Sequence, residues 1–470
     1  MRRLSGLDAL FLAAESPRSP TQISCVSIVD PAENSPSVTV GMLKSALAGR
    51  LHLLPPLRQR LVEVPFGIGR PYWIEDPDFD IGYHVHRAAL PAPGGREELA
   101  ALVADLAERR LDRRHPLWEW WFIEGLEHGY VANVWKIHHA YIDGVAGAAF
   151  QELLFDHEPN AAADPGPTED WQPDAVPAAV PLIGRALRDS LGLPRQLARL
   201  GAALLPAVPS AAARSRPRFL AGDEDRPQPL SMRPPRLPFN APITRRRTWA
   251  FTTVSLDEMK TVKNAFGVKI NDVALAMVGG ALRRYLQHHD ALPDTPAVAS
   301  VPVSVGAAGA GRAGNQLAGM SVSLATDVED PVERLQAIYR SSQESKVLQQ
   351  ALGAETLMSL AELPPPALIW LATGFFAWSG LARRMPPMSN VMVSNVPGPR
   401  RPLYFLGGEV KAILSTGVLF DGAGLFVGLS SYRDQMDFGI TACTDLVPDP
   451  WMLADGLDEE LAGLVRRATD

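Results

Sequence analysis

Two periods of apolar residues share this chain. Spacings of three and four predict helices over residues 38–50, where Val40, Leu43 and Leu47 fall on one side, and over 97–110, where Leu99, Leu102, Val103 and Leu106 do the same. The same spacing marks 273–288, 331–344 and 450–467. Runs of β-branched, aromatic and aliphatic residues between turn residues predict strands over 22–29, 57–64, 72–74, 130–137, 297–305, 317–324, 390–395, 410–416, 425–432 and 436–441. Strands and helices interleave along the whole length, as in a mixed α/β protein.

Breaks in this pattern suggest the domain organisation. Pro55-Pro56 stops the helix over 38–50, and residues 159–181, rich in alanine, proline and acids, read as a linker leaving a first domain of residues 1–180. Residues 181–220 change sign: Arg185, Arg188, Arg195, Arg199, Arg214, Arg216 and Arg218 face only Asp189, with Leu182, Ile183, Leu187 and Leu191 interspersed. A basic amphipathic helix of this kind either lies in a membrane interface or packs on its own protein. Residues 221–242 are proline-rich and charged. The boundary falls there, giving a connecting segment of 181–242 and a second domain of 243–470.

Composition narrows the function classes. With 470 residues, 46% of them hydrophobic, and a formal charge of −7, the chain can bury a large core and is a poor candidate for nucleic-acid binding. Two cysteines, Cys25 and Cys443, offer neither a disulfide framework nor metal-ligand spacing, which fits a reducing, cytoplasmic setting. The apolar opening, residues 4–14, is broken by Asp8 and is too short for a secretory signal. The most apolar stretch, 367–382, falls short of the roughly 20 residues needed to span a bilayer, so a buried helix is expected there over a membrane anchor.

Candidate chemistry centres on His138-His139-Ala140-Tyr141-Ile142-Asp143-Gly144, at the end of the strand over 130–137 and before a helical pattern over 145–155. Imidazole accepts and returns a proton near neutrality. His139, just past the strand, is placed to project from the sheet edge, with His138 holding its neighbour. Asp143 is four residues beyond His139, and Gly144 permits a tight turn. The set suits acid–base catalysis, a buried polar junction or a metal site. Metal is the weakest case, because no other histidine completes a ligand pattern. His84 and His86 read as exposed polar groups of a strand, and His288-His289 as a solvated helix end. Asp257 is the expected N-cap of a helix ending at Gly267, and Asn271 or Asp272 that of the helix over 273–288.

The histidine stretch matches the HHxxxDG motif of acyltransferases that resemble chloramphenicol acetyltransferase. The chain as a whole is similar to the bacterial wax ester synthase/diacylglycerol acyltransferase family, on Leu4-Ser5-Gly6-Leu7-Asp8, Phe11-Leu12, Pro116-Leu117-Trp118, Ile123-Glu124-Gly125-Leu126, Asn271-Asp272-Val273-Ala274-Leu275-Ala276 and Ser394-Asn395-Val396-Pro397-Gly398-Pro399. That resemblance implies a two-domain α/β fold of the chloramphenicol acetyltransferase-like, CoA-dependent acyltransferase type, with an active-site channel between the domains. It implies acyl transfer from acyl-CoA, a co-substrate rather than a bound cofactor, to diacylglycerol or a long-chain alcohol, without metal. Peripheral contact with the inner membrane face or lipid droplets would follow. It makes His139 the general base, with Asn271, Asp272, Asn315 and Asn395 positioning substrate or oxyanion, and Pro116, Leu117, Trp118, Pro397 and Gly398 shaping the cleft. The rival expectations are an acyltransferase for a sugar, polyketide or amine, and a lipid-binding protein without catalysis.

Overall fold

The computed structural model describes residues 1–31, 38–141, 153–161, 171–191, 233–304, 317–352, 371, 373–376, 379–380 and 383–470. In chain order its strands are β1 (Arg2–Arg3), β2 (Gln22–Asp30), β3 (Gln59–Val62), β4 (Tyr72–Glu75), β5 (Val85–Ala89), β6 (Trp118–Glu124), β7 (Val131–His138), β8 (Arg247–Ser255), β9 (Val298–Ser304), β10 (Leu317–Ser323), β11 (Val391–Pro397), β12 (Tyr404–Phe405), β13 (Gly408–Ser415), β14 (Leu425–Tyr432) and β15 (Gln435–Cys443). They form two six-stranded sheets, ordered β12-β13-β2-β7-β6-β5 and β10-β9-β11-β14-β15-β8, and a small sheet, β1-β4-β3. The first sheet is antiparallel except at β5–β6, and in the second β11 runs parallel to both β9 and β14.

Alternation along β7 assigns its residues to two faces. Trp135 and Ile137 join Trp118, Trp120 and Phe122 in one cluster, whereas Ala132 and Val134 pack with Leu99, Val103 and Leu106 of the helix Arg96–Glu108. His138 shares the parity of Val134, so its ring enters the helix-covered side. The second sheet buries Val254, Phe438, Ile440, Val427 and Val393 beneath the helices Leu256–Phe266, Ile270–His288, Pro331–Leu352 and Pro450–Thr469. The helix Leu256–Phe266 is capped by the Ser255 hydroxyl rather than by Asp257, and Gly267 closes it at φ 69°.

Strands from beyond residue 243 complete the first sheet. Although β12 and β13 come from the far end of the sequence, β13 pairs with β2 from Glu409↔Asp30 to Ser415↔Cys25. It also lies against β14 and β15, where Asp437 accepts the Ile413 N–H at 2.7 Å and Trp249 donates Nε1–H to the Ser415 carbonyl at 3.2 Å. Burial pushes the Asp437 carboxyl up to about 7. This close approach requires glycine. A Cβ at Gly439 would lie 2.1 Å from the Ser415 oxygen, and one at Gly428 would lie 2.3 Å from the Ser415 hydroxyl. The histidine end of β7 adjoins this seam, since Gln22 pairs with His138 while Ser24 and Thr416 exchange hydrogen bonds at 2.8 Å.

His84 departs from the expected exposed strand position. It ends the helical turn Ile81–His84 and is buried, stacked on Trp118 at 4.2 Å, with Nδ1 donating to the Trp118 carbonyl at 2.8 Å. Burial lowers its pKa to about 4. From pH 6.5 down to 4 the unfolded chain takes up a proton that the folded chain refuses, so stability is full above 6.5 and falls through this window by roughly 3 kcal/mol. Chemical denaturation across pH 4–7 should therefore show a shallower loss in His84→Phe than in the parent chain; identical slopes would remove His84 as the cause.

Among the described residues no single helix is long and apolar enough to cross a membrane. Leu256–Phe266 and Ile270–His288 meet the length and composition test only as a pair bent by 101°, and the second is largely buried in the core.

Candidate active site

The strand ending in the two histidines is tied down by its neighbours' backbones. His138 N–H donates to the Leu117 carbonyl at 3.0 Å, which gives Leu117, fully buried, a direct link to the site. Trp118 is buried beneath it and donates its indole N–H to the Leu57 carbonyl at 2.8 Å. His139 N–H donates to the Thr21 carbonyl at 2.9 Å. Its ring is half-buried and stacks on Phe11, with centroids 4.0 Å apart and planes 11° from parallel.

The protonation state of His138 follows from its partners. Ala140 N–H donates to Nδ1 at 3.0 Å, so that nitrogen carries the lone pair, and Nε2 must hold the proton. Nε2–H then donates to the Thr21 hydroxyl at 2.9 Å, and that hydroxyl donates to the Phe11 carbonyl at 3.1 Å. Burial, reinforced by Arg113 and His139, holds the His138 pKa well below its ordinary value. With one nitrogen occupied as an acceptor and the other already protonated, this ring cannot accept a substrate proton. His138 is thereby held in a buried hydrogen-bond chain.

Beside His138 lies an ion pair that sequence spacing did not reveal. Arg113 donates from Nε and a terminal nitrogen to Glu15 Oε2 at 3.1 and 2.8 Å, and the other Glu15 oxygen is 3.9 Å from His138 Nε2. Arg113 also donates to the Leu12 carbonyl at 2.6 Å. The group Phe11, Glu15, Thr21 and Arg113 assembles from a helix end and two irregular connections, where apolar periodicity carries no signal. Phe11 alone fell within a motif noted in the sequence.

Two asparagines drawn from separate motifs meet in the second half. Asn395 on β11 donates Nδ2–H to Asn271 Oδ1 at 3.3 Å. Lys269 is the N-cap of the helix Ile270–His288, and Asp272 reaches back to accept the Lys269 N–H at 3.0 Å. Asp272 is fully buried and serves the helix start, while Asn271 is half-buried. Pro397 ends β11, and Gly398 docks on β14: its N–H meets the Ser431 hydroxyl at 3.2 Å, and a Cβ there would lie 2.2 Å from the Ser431 carbonyl oxygen. Pro116 donates no N–H, and its carbonyl accepts from Trp118 at 2.9 Å, forming the corner before β6. Asp143, Gly144 and Asn315 lie outside the described residues. No group of three metal-ligating side chains occurs among the described residues.

Two mixed sheets joined by a strand of the second half, with paired histidines at the seam, define a two-domain acyltransferase fold of the chloramphenicol acetyltransferase-like type. The same fold appears in the starter condensation domain of rhizomide synthetase, solved in complex with C8-CoA and Leu-SNAC, with a TM-score of 0.55, 15% identity, and coverage of 100% of this chain and 94% of that one. The wax ester synthase/diacylglycerol acyltransferase of Marinobacter aquaeolei VT8 gives a TM-score of 0.71 at 29% identity, with both chains covered in full. A Mycobacterium tuberculosis CDC 1551 protein carrying the name "putative diacylglycerol O-acyltransferase" is 36% identical over 481 residues, spanning 100% of this chain and 91% of its own length. Residues 4–274 match the wax ester synthase/diacylglycerol acyltransferase catalytic domain, and residues 313–464 match the C-terminal domain of the same family. The chain belongs to that family and is an acyltransferase.

Proposed function

We propose that this enzyme moves a long-chain fatty acyl group from acyl-CoA to the hydroxyl of diacylglycerol or a long-chain alcohol, giving triacylglycerol or wax ester. The observation that supports this mechanism is the occupied state of His138, which favours His139 as the base. His139 removes the hydroxyl proton as the oxygen attacks the thioester carbonyl, and the carbonyl oxygen takes up the negative charge. Collapse of the tetrahedral intermediate breaks the carbon–sulfur bond, and the His139 imidazolium returns its proton to the departing CoA thiolate. No acyl-enzyme and no metal is used.

The developing oxyanion needs a donor. Asn271 is suited to this because its Oδ1 is engaged by Asn395, which turns its NH₂ group away from the pair. By the family resemblance, Asp143 and Gly144 are assigned a supporting role to His139, and Asn315 a role in positioning substrate. Trp118, Leu117 and Pro116, with Pro397 and Gly398, fix the corners of the cleft without taking part in proton transfer. Incubating the purified enzyme with labelled palmitoyl-CoA and competing diacylglycerol and hexadecanol tests donor and acceptor together. Product from neither acceptor, with turnover on a sugar or amine instead, would replace this substrate assignment.

An apolar acceptor is delivered most directly at a lipid surface, and the helix Ala179–Ser190 supports that mode of encounter. Leu182 and Ala186 anchor it on Val64 and Tyr72, while Val180 and Leu187 are 79% and 58% exposed, Leu191 just beyond it is 80% exposed, and Phe66 on the adjoining turn is 87% exposed. Arg185 and Arg188 lie exposed among them, as expected for anionic headgroups. Co-sedimentation with phosphatidylglycerol vesicles should fall at least fivefold in a Val180→Asp/Leu187→Asp variant, with soluble-substrate turnover unchanged. Equal sedimentation of both proteins would remove this surface from the encounter.

A further inference from the structure

We propose that Thr21 is a positioning residue that sets both histidines at once, acting from the N-terminal segment rather than from the histidine motif itself. This inference rests on His139 being the base. Thr21 engages the pair through two separate atoms. Its carbonyl accepts the His139 backbone N–H at 2.9 Å, and its hydroxyl accepts Nε2–H of His138 at 2.9 Å. The hydroxyl is itself aimed by the Phe11 carbonyl, 3.1 Å away, and the Phe11 ring lies parallel to the His139 imidazole at 4.0 Å. One side chain therefore links the tautomer of the first ring to the backbone and stacking partner of the second.

Direction of hydrogen bonding makes this link exacting. With Ala140 N–H on Nδ1, His138 has one free donor, and Thr21 is the acceptor that meets it at bonding distance. The charged groups around that donor are the Arg113 guanidinium and the Glu15 carboxylate, whose nearer oxygen is 3.9 Å away. Removing the hydroxyl leaves Nε2–H without an acceptor in a buried site, and the ring's nearest relief is a turn toward Glu15. Such a turn drags the strand end, and with it His139, away from the Phe11 stack. A displacement of an ångström at a general base lowers turnover by about 10- to 100-fold without weakening ground-state binding.

The test compares Thr21→Val, which keeps the shape and loses the hydroxyl, with Thr21→Ser, which restores it. Thr21→Val is expected to lower kcat by about 10- to 100-fold with KM for palmitoyl-CoA within about threefold, and Thr21→Ser to recover most of the loss. Long-range ¹⁵N–¹H spectra of the parent enzyme should show His138 as the neutral Nε2–H tautomer throughout pH 5–8. Turnover within twofold of the parent in Thr21→Val, equal loss in Thr21→Ser, or a His138 ring protonated on Nδ1 each overturns the proposal. Should Thr21→Val fail to fold, Thr21→Ser turnover and the parent spectrum still decide it. The spectrum is independent of whether His139 is the base, so an active His139→Ala enzyme with a normal His138 spectrum would sink the catalytic assignment and leave the hydrogen-bond chain standing.

Discussion

Replacing His139 with alanine is expected to lower acyl transfer by about 10²–10⁴-fold, the range lost when a general acid–base group is removed. In the proposed mechanism the same imidazole serves twice, first taking the hydroxyl proton and then protonating the thiolate, so its loss would affect both the formation and the collapse of the intermediate. The effect should fall on kcat, because nothing in the mechanism assigns the ring to ground-state binding. Folding should survive. The ring is half-buried, its replacement keeps the backbone N–H on Thr21, and the Phe11 stack contributes only about 0.5–1.5 kcal/mol beyond area burial. Turnover of labelled palmitoyl-CoA, measured beside a denaturation curve, checks both halves of this expectation. A folded His139→Ala enzyme retaining a tenth or more of the parent rate would transfer the base role elsewhere. His138→Ala should behave differently, losing stability as well as rate, because it empties a buried site that two hydrogen-bonded residues, Thr21 and Ala140, and an ion pair enclose.

The contrast between the two histidines shows where sequence reasoning reached and where it stopped. Strand period placed β7 and β2 within a residue or two of their observed ends. Which ring could act as a base depended on Ala140, Thr21 and Phe11, and those contacts arise from the irregular chain around Thr21, which has no period to read. His84 illustrates the same limit, since alternation with Val85 and His86 suggested exposure, whereas a one-turn helix rolled its ring onto Trp118. Strand β13 was recognised as a strand, but its sheet was not. Pairing with β2 is a long-range choice, as is the approach to β14 and β15 that Gly428 and Gly439 permit, and no local pattern encodes either. Ser255 displaced Asp257 as a cap because the helix starts two residues earlier than an Asp257 cap would place it.

Replacing Asn271 with alanine is expected to lower kcat by about 10²–10³-fold, the cost of deleting one oxyanion donor. The argument turns on the direction of one hydrogen bond. An asparagine amide facing a pocket can present either oxygen or nitrogen, and only the nitrogen stabilises negative charge. Asn395 donates to Asn271 Oδ1 at 3.3 Å, so in the proposed mechanism the NH₂ group is the one that meets the intermediate. Asp272 strengthens this by holding the start of the helix in place through the Lys269 N–H, so the amide sits on a rigid element whose positive end also favours an oxyanion. Asn395→Ala should then give a smaller loss, about tenfold, since it frees the Asn271 amide to rotate but leaves the donor present. The order of the two effects distinguishes this arrangement from a shared substrate-binding role. If Asn395→Ala proves as damaging as Asn271→Ala, or if both changes raise KM for acyl-CoA while sparing kcat, the pair binds ground-state substrate and the oxyanion donor must be sought among backbone N–H groups instead.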